Sequence, residues 1–166
     1  MTERWFPDEM PMPAANAETM GWWEAAADHR LVVQRCRECG RTRHPPGPVC
    51  PRCRSSSSEW SALPGTGLVY TYTIVHQAFI PSLQDRVPYV VVAVELDGGD
   101  GARIVSNLVD AGPDEVAVGM PVDVAWEDMG PELSVPRFRP SAAVPTPSPS
   151  RTPTPSPTTT DRTQRP

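Results

Sequence analysis

The chain contains no lysine; all 15 of its basic residues are arginine. That absence excludes an own-chain Schiff base and any phosphate loop built on a Lys ammonium. Gly-x-Ser-x-Gly, Gly-x-Gly-x-x-Gly and His-Glu-x-x-His are absent too, which removes the common hydrolase, dinucleotide and metalloprotease signatures. No apolar run approaches the roughly 18 residues of a membrane span. The first 30 residues hold acids, prolines and isolated apolar side chains in place of a secretory apolar core, so a cytoplasmic setting is expected. The three histidines, His29, His44 and His76, are scattered, and no nucleophile is assigned.

What the chain does have is four cysteines in two Cys-x-x-Cys pairs, Cys36/Cys39 and Cys50/Cys53, with ten residues between the pairs. Two tight turns of this kind converge four thiolates on one tetrahedral metal ion. Gly40 permits positive φ after the first pair, and Pro51 stiffens the second turn. Two disulfides would need an oxidising compartment, and a redox dithiol accounts less well for two paired turns. The reading is a closed structural site with no place for water or substrate. Zinc is the expected ion, and iron in a rubredoxin-like site uses the same ligands. His44 lies between the pairs and is read as a packing or surface residue.

The net charge of −5 hides a sharp division. Residues 30–54 hold seven Arg and one acid, whereas residues 55–139 hold four Arg and twelve acids. The basic island coincides with the cysteine motif and comprises Arg35, Arg37, Arg41, Arg43, Arg52 and Arg54, together with Arg30. These arginines either offset the thiolate charge or meet an anion such as phosphate. The acidic body argues against a nucleic-acid track.

Residues 1–18 read as an irregular N-terminal arm, broken by Pro7, Pro11 and Pro13. A helix is expected over Met20–His29 within residues 19–30, capped by Thr19 and with Glu24 early enough to favour the helix dipole. Residues 31–60 form the ribbon. Within it Leu31–Gln34 is a short strand, Ser55–Ser58 a turn, and Trp60 the start of the next unit. Residues 61–139 show five strands: Gly67–His76, Tyr89–Leu96 (expected to be buried on both faces), Arg103–Val109, Pro121–Trp126 and Leu133–Phe138. The fold class is therefore mainly β, with a helix, a zinc ribbon and a five-stranded barrel of the OB type or another small antiparallel kind. Residues 140–166 hold 19 Pro, Ser or Thr among 27 and are read as a disordered tail.

An ordered series of segments carries a family likeness. It runs Trp22-Trp23-Glu24-Ala25-Ala26, Leu31-Val32-Val33-Gln34-Arg35-Cys36, the two knuckles, then Gly67-Leu68-Val69-Tyr70-Thr71-Tyr72-Thr73. It continues through Val75-His76-Gln77-Ala78-Phe79, Asp85-Arg86-Val87-Pro88-Tyr89, Asn107-Leu108-Val109, Gly119-Met120-Pro121-Val122 and Phe138-Arg139-Pro140. Over about residues 20–140 the chain resembles the zinc-ribbon/OB-fold proteins associated with acyl-CoA metabolism, long catalogued as a domain of unknown function. The resemblance implies an OB fold and an accessory role. The chain would dock on a thiolase-superfamily, lipid-transfer-protein-like aldolase or thiolase that holds the catalytic residues, and would help form the acyl-CoA channel, as in steroid side-chain cleavage. Two contact surfaces are expected: the ribbon arginines, and Phe79, Ile80 and Leu83 in the connection between the first two barrel strands. The competing functions are a single-stranded nucleic-acid binder and an independent acyl-CoA carrier.

Overall fold

The computed structural model describes residues 4–7 and 9–142. The disordered-tail reading lies outside the described residues from 143 onward. Helix α1 covers Met20–Ala27 and stops two residues earlier than expected. His29 adopts φ +55, its N–H bonds the Ala26 carbonyl, and the Arg30 N–H bonds the Ala25 carbonyl. That pair of bonds is a Schellman stop, here built without glycine. Thr19 does not cap the helix through its side chain. Instead the Asn16 side chain accepts from the backbone N–H groups of Glu18 and Thr19 and from the Thr19 hydroxyl. Glu24 is the fifth residue of the helix and falls outside its first turn, so it gains little from the dipole.

The ribbon carries more sheet than the sequence suggested. β1 (Val32–Cys36) pairs antiparallel with β2 (Thr42–Arg43) on one side and with β3 (Ser58–Ala62) on the other. Trp60 thus sits mid-strand in the ribbon sheet, opposite Gln34. Its indole fills the space beside Gly21, where an added Cβ would overlap it. This glycine lets α1 lie close on the ribbon.

β4 (Thr66–Val75), β5 (Tyr89–Leu96), β6 (Arg103–Leu108), β7 (Pro121–Gly130) and β8 (Leu133–Pro140) close a barrel in the order β4-β5-β6-β8-β7. β6 and β8 run parallel and pair only at Leu108↔Phe138, while the other pairs are antiparallel. A five-stranded barrel closed by one parallel contact is the OB arrangement. β5 is buried on one face only: Val90, Val92, Val94 and Leu96 are buried, and the alternate residues are half-exposed. Antiparallel strands with one wet face alternate in this way. Gly67 is needed at the β4–β5 contact, since a Cβ there would collide with the Glu95 carbonyl and Val94.

One core joins the parts. Trp22, Ala26, Val32 and Val33 belong to the same buried cluster as Val69, Val92, Val122 and Phe138. Phe138 is fully buried, and burying such a ring contributes about 1.5–3 kcal/mol. The long β4–β5 connection contains a 3-10 helix, Pro81–Arg86. Among the described residues no helix is long and apolar enough to cross a membrane.

Candidate metal centre and ligand surfaces

β1 ends at Cys36, so the first knuckle grows directly from the ribbon sheet. The Gly40 N–H bonds the Cys36 carbonyl and the Arg54 N–H bonds the Cys50 carbonyl, closing two equivalent turns. Gly40 has φ +71 and Arg54 φ +62, so the second knuckle reaches the left-handed region without glycine. All four sulfurs lie within 4.8 Å of one another, with Cys36–Cys53 at 3.5 Å and Cys39–Cys50 at 3.6 Å. A tetrahedron with metal–sulfur bonds of about 2.3 Å has sulfurs about 3.8 Å apart, so the donor set fits one ion. These separations far exceed a disulfide bond of about 2.05 Å, and all four cysteines are free.

The electrostatics agree. Backbone N–H groups of Cys39 and Glu38 point at the Cys36 sulfur and hold its pKa below the ordinary thiol value. The Cys53 and Arg52 N–H groups lower Cys50 to about 6. At Cys53 the Ser55 N–H also lowers the pKa, but the crowd of neighbouring sulfurs and burial outweigh it and push the thiol up to about 12. Two thiolates are pre-stabilised, and the charge of the others calls for a cation between them. Cys36, Cys39, Cys50 and Cys53 therefore form a structural metal site, with every tetrahedral position taken by protein.

The ribbon arginines share a region without forming one constellation. Arg37 is engaged by Glu59 at 3.5 Å and by the Ser58 carbonyl. Arg43 is half-buried and donates to the Gly47 carbonyl at 2.9 Å. Arg35, Arg41, Arg52 and Arg54 are exposed, and Arg35 lies beside Gly40. In the β4–β5 connection Phe79 is 86% exposed and Ile80 is exposed, whereas Leu83 is buried at 7% exposure. Trp22 is buried and Trp23 packs on the core, with their rings edge to face at 4.6 Å.

His29 Nε2 donates to Asp128 Oδ1 (2.6 Å) and the ring stacks on Trp126, and the Ser134 hydroxyl also donates to Asp128 Oδ1. The carboxylate stands between the other two groups. The Ser134 hydroxyl is thus not placed on an imidazole base, and the cluster is no nucleophilic triad. His44 is half-buried, its desolvation lowers its pKa, and its ring lies 5.6 Å from Trp22.

Sequence reasoning missed a cavity of about 900 Å³ between the N-terminal arm and the barrel seam. Its charged lining is Arg4, Arg86, Arg137 and Arg139 with Asp110, Glu127 and Asp128; Trp5, Tyr89 and Trp126 form its aromatic walls. Trp5 meets Tyr89 edge-on at 5.2 Å, and the Phe6 N–H donates to Glu127 Oε1 at 2.6 Å. Arg137 donates through Nε to Glu127 Oε2 and through Nη1 to Asn107 Oδ1, each at 2.7 Å. The usable signal was the Arg137/Arg139 spacing, which puts both on one face of a strand.

Comparison with known proteins gives a consistent picture. Residues 23–59 match the ChsH2 rubredoxin-like zinc ribbon domain, and residues 60–127 match the ChsH2 C-terminal OB-fold domain. The chain is 47% identical over 131 residues to a probable enoyl-CoA hydratase alpha subunit of Thermomonospora curvata, covering 79% of this chain and 40% of that protein. It is 32% identical over 134 residues to the 3-oxo-4,17-pregnadiene-20-carboxyl-CoA hydratase alpha subunit of Mycobacterium tuberculosis, covering 81% of this chain and 41% of that protein. The chain thus spans about two fifths of the length of these relatives. Among solved structures, a chain of the Ltp2-ChsH2(DUF35) aldolase is similar with a TM-score of 0.70 and 46% identity, covering 78% of this chain and 98% of that one.

Proposed function

Because this chain belongs to the ChsH2-type (DUF35) zinc-ribbon/OB-fold family, we propose that it is the non-catalytic subunit of an acyl-CoA aldolase or thiolase. It docks on a thiolase-superfamily, lipid-transfer-protein-like partner in the cytoplasm and helps form the channel for the acyl-CoA. The observation that carries this reading is the likeness to almost the whole length of one chain of an aldolase built from two kinds of subunit. The relative named for a pregnadiene-carboxyl-CoA supports a steroid side-chain thioester as the substrate class, and the likeness to an aldolase chain supports retro-aldol cleavage as the reaction.

The geometry is consistent with a docking role. The metal centre, with zinc as its ion, is closed to substrate and serves to hold β1 and the two knuckles. Phe79 and Ile80 expose apolar surface on a loop, which suits a partner contact or a wall for the acyl chain. The exposed Arg35, Arg41, Arg52 and Arg54 suit the CoA phosphates or an acidic partner rim.

Co-expression with a thiolase-like aldolase candidate tests the proposal. The expected result is a complex that survives gel filtration and cleaves an acyl-CoA aldol substrate only when both chains are present. A partner that is fully active alone, with this chain eluting separately, refutes it.

A further inference from the structure

The N-terminal arm lays a short stretch of chain against the barrel seam without joining its sheet. Trp5, Phe6 and Pro7 belong to no strand or helix, and neither aromatic ring is part of the buried core cluster. Contacts from one side hold the stretch in place. The Phe6 backbone N–H donates to Glu127 Oε1 at 2.6 Å. Trp5 meets Tyr89 edge-on at 5.2 Å. The guanidinium carbon of Arg137 stands 5.0 Å from the Trp5 ring centroid and 5.8 Å from that of Phe6. Pro7 is buried.

These are the contacts of peptide recognition. A fixed acceptor takes a main-chain N–H, and neighbouring surfaces take the side chains on either side of it. The barrel itself fixes that acceptor. Glu127 Oε2 accepts from Arg137 Nε, and Arg137 Nη1 donates to Asn107 Oδ1, each at 2.7 Å. Those three residues stand on β7, β8 and β6, so the docking face is built without the arm. The arm adds one hydrogen bond and ring contacts. A segment held by so little opens at much lower free energy than paired strands do. Trp5 is also a wall of the cavity of about 900 Å³, so release of the arm opens the cavity on that side.

We infer that the barrel seam is a docking site for an extended aromatic-aromatic-Pro segment, filled in this chain by its own Trp5-Phe6-Pro7, and that the arm is a displaceable strap over the cavity. Tyr89 and Arg137 take the first ring, and Glu127 takes the N–H of the residue after it. Every group involved belongs to this chain, so the inference does not rest on the accessory-subunit reading.

The test uses the full-length, metal-loaded chain and a synthetic peptide of residues 1–12. In the parent chain the tethered arm is present at an effective concentration of about a millimolar, so the peptide competes poorly with it. The paired change Trp5→Ala with Phe6→Ala unseats the arm and alters no residue of the core cluster. By isothermal titration this variant binds the peptide saturably below about 1 mM, and at least about tenfold more tightly than the parent does. A peptide carrying Trp5→Ala binds at least about fivefold more weakly. A second measurement needs no variant: in the parent chain the Phe6 amide exchanges its hydrogen at least about 100-fold faster than the paired amides of β5. No binding to the variant at millimolar concentration, equal binding to variant and parent, indifference to Trp5→Ala in the peptide, or a Phe6 amide as protected as those of β5 each overturns the inference.

Discussion

Removing the carboxylate from the Arg137–Glu127 pair is the sharpest test of how the barrel and the arm are held together. The two side chains are 8% and 9% exposed and meet at 2.7 Å. Glu127→Gln keeps the shape and keeps an acceptor for the Phe6 N–H, but it leaves a buried guanidinium uncompensated. Breaking such a pair from one side costs about 3–5 kcal/mol. The unfolding entropy of the 138 described residues is on the order of 0.3 kcal/mol/K, so the melting temperature should fall by about 10–17 °C. Arg137→Met strands Glu127 and should cost a similar amount. The double variant buries neither charge and should recover most of the loss, to within about 2 kcal/mol of the parent chain. Thermal and urea denaturation of the four proteins completes a double-mutant cycle whose coupling exceeds about 2 kcal/mol. A fall of less than about 3 °C for Glu127→Gln, or singles that simply add in the double, refutes the reasoning.

Further outcomes follow from the same structure. Cys50→Ser should reduce bound metal from about one ion per chain to near none. Amide protection in β1 should drop while β5 keeps its own, as metal analysis and hydrogen exchange will show. His44 has a folded pKa below its ordinary 6.5 because burial disfavours the imidazolium. The unfolded chain therefore binds the proton more readily, and this stability contribution, complete above pH 6.5, is lost as pH falls below that value. His44→Gln should flatten that part of the pH dependence in chemical denaturation. Phe79→Ala should alter the melting temperature little, since the ring is exposed, and weaken the proposed complex with a thiolase-like partner at least about tenfold by biosensor. Gly21→Ala should destabilise by about 1–3 kcal/mol, because the new methyl overlaps Trp60; a variant as stable as the parent would show that α1 and the ribbon shift apart freely.

Much of this architecture is legible locally. The β5 boundaries, Tyr89–Leu96, follow from a mostly apolar, valine-rich run between Pro88 and Asp97-Gly98. Its half-wet face was not legible, because valine and alanine fill both sides and only the neighbouring strands decide which side is covered. β3 was hidden for a different reason. Ser58 and Glu59 have no strong strand preference, and pairing along the whole of β1 makes them a strand. Thr19 holds the N-cap position of α1, but its hydroxyl donates to Asn16 Oδ1 and leaves the first helical N–H groups without a side-chain cap, a choice that backbone geometry makes.

The sequence by itself determined the metal centre and the class of the fold. Cys-x-x-Cys turns and strand alternation act over a few residues, where bond geometry leaves few options. The tertiary structure alone decided which distant groups meet. It placed Phe6 on Glu127 across 121 positions, His29 on Asp128 across 99, and Arg137 on Asn107 across 30. Contacts at such separations depend on the closing of the barrel at Leu108↔Phe138, a single parallel pair that no local pattern announces. The arginine-lined cavity lies beside that seam, so its chemistry became visible only once the strands had closed.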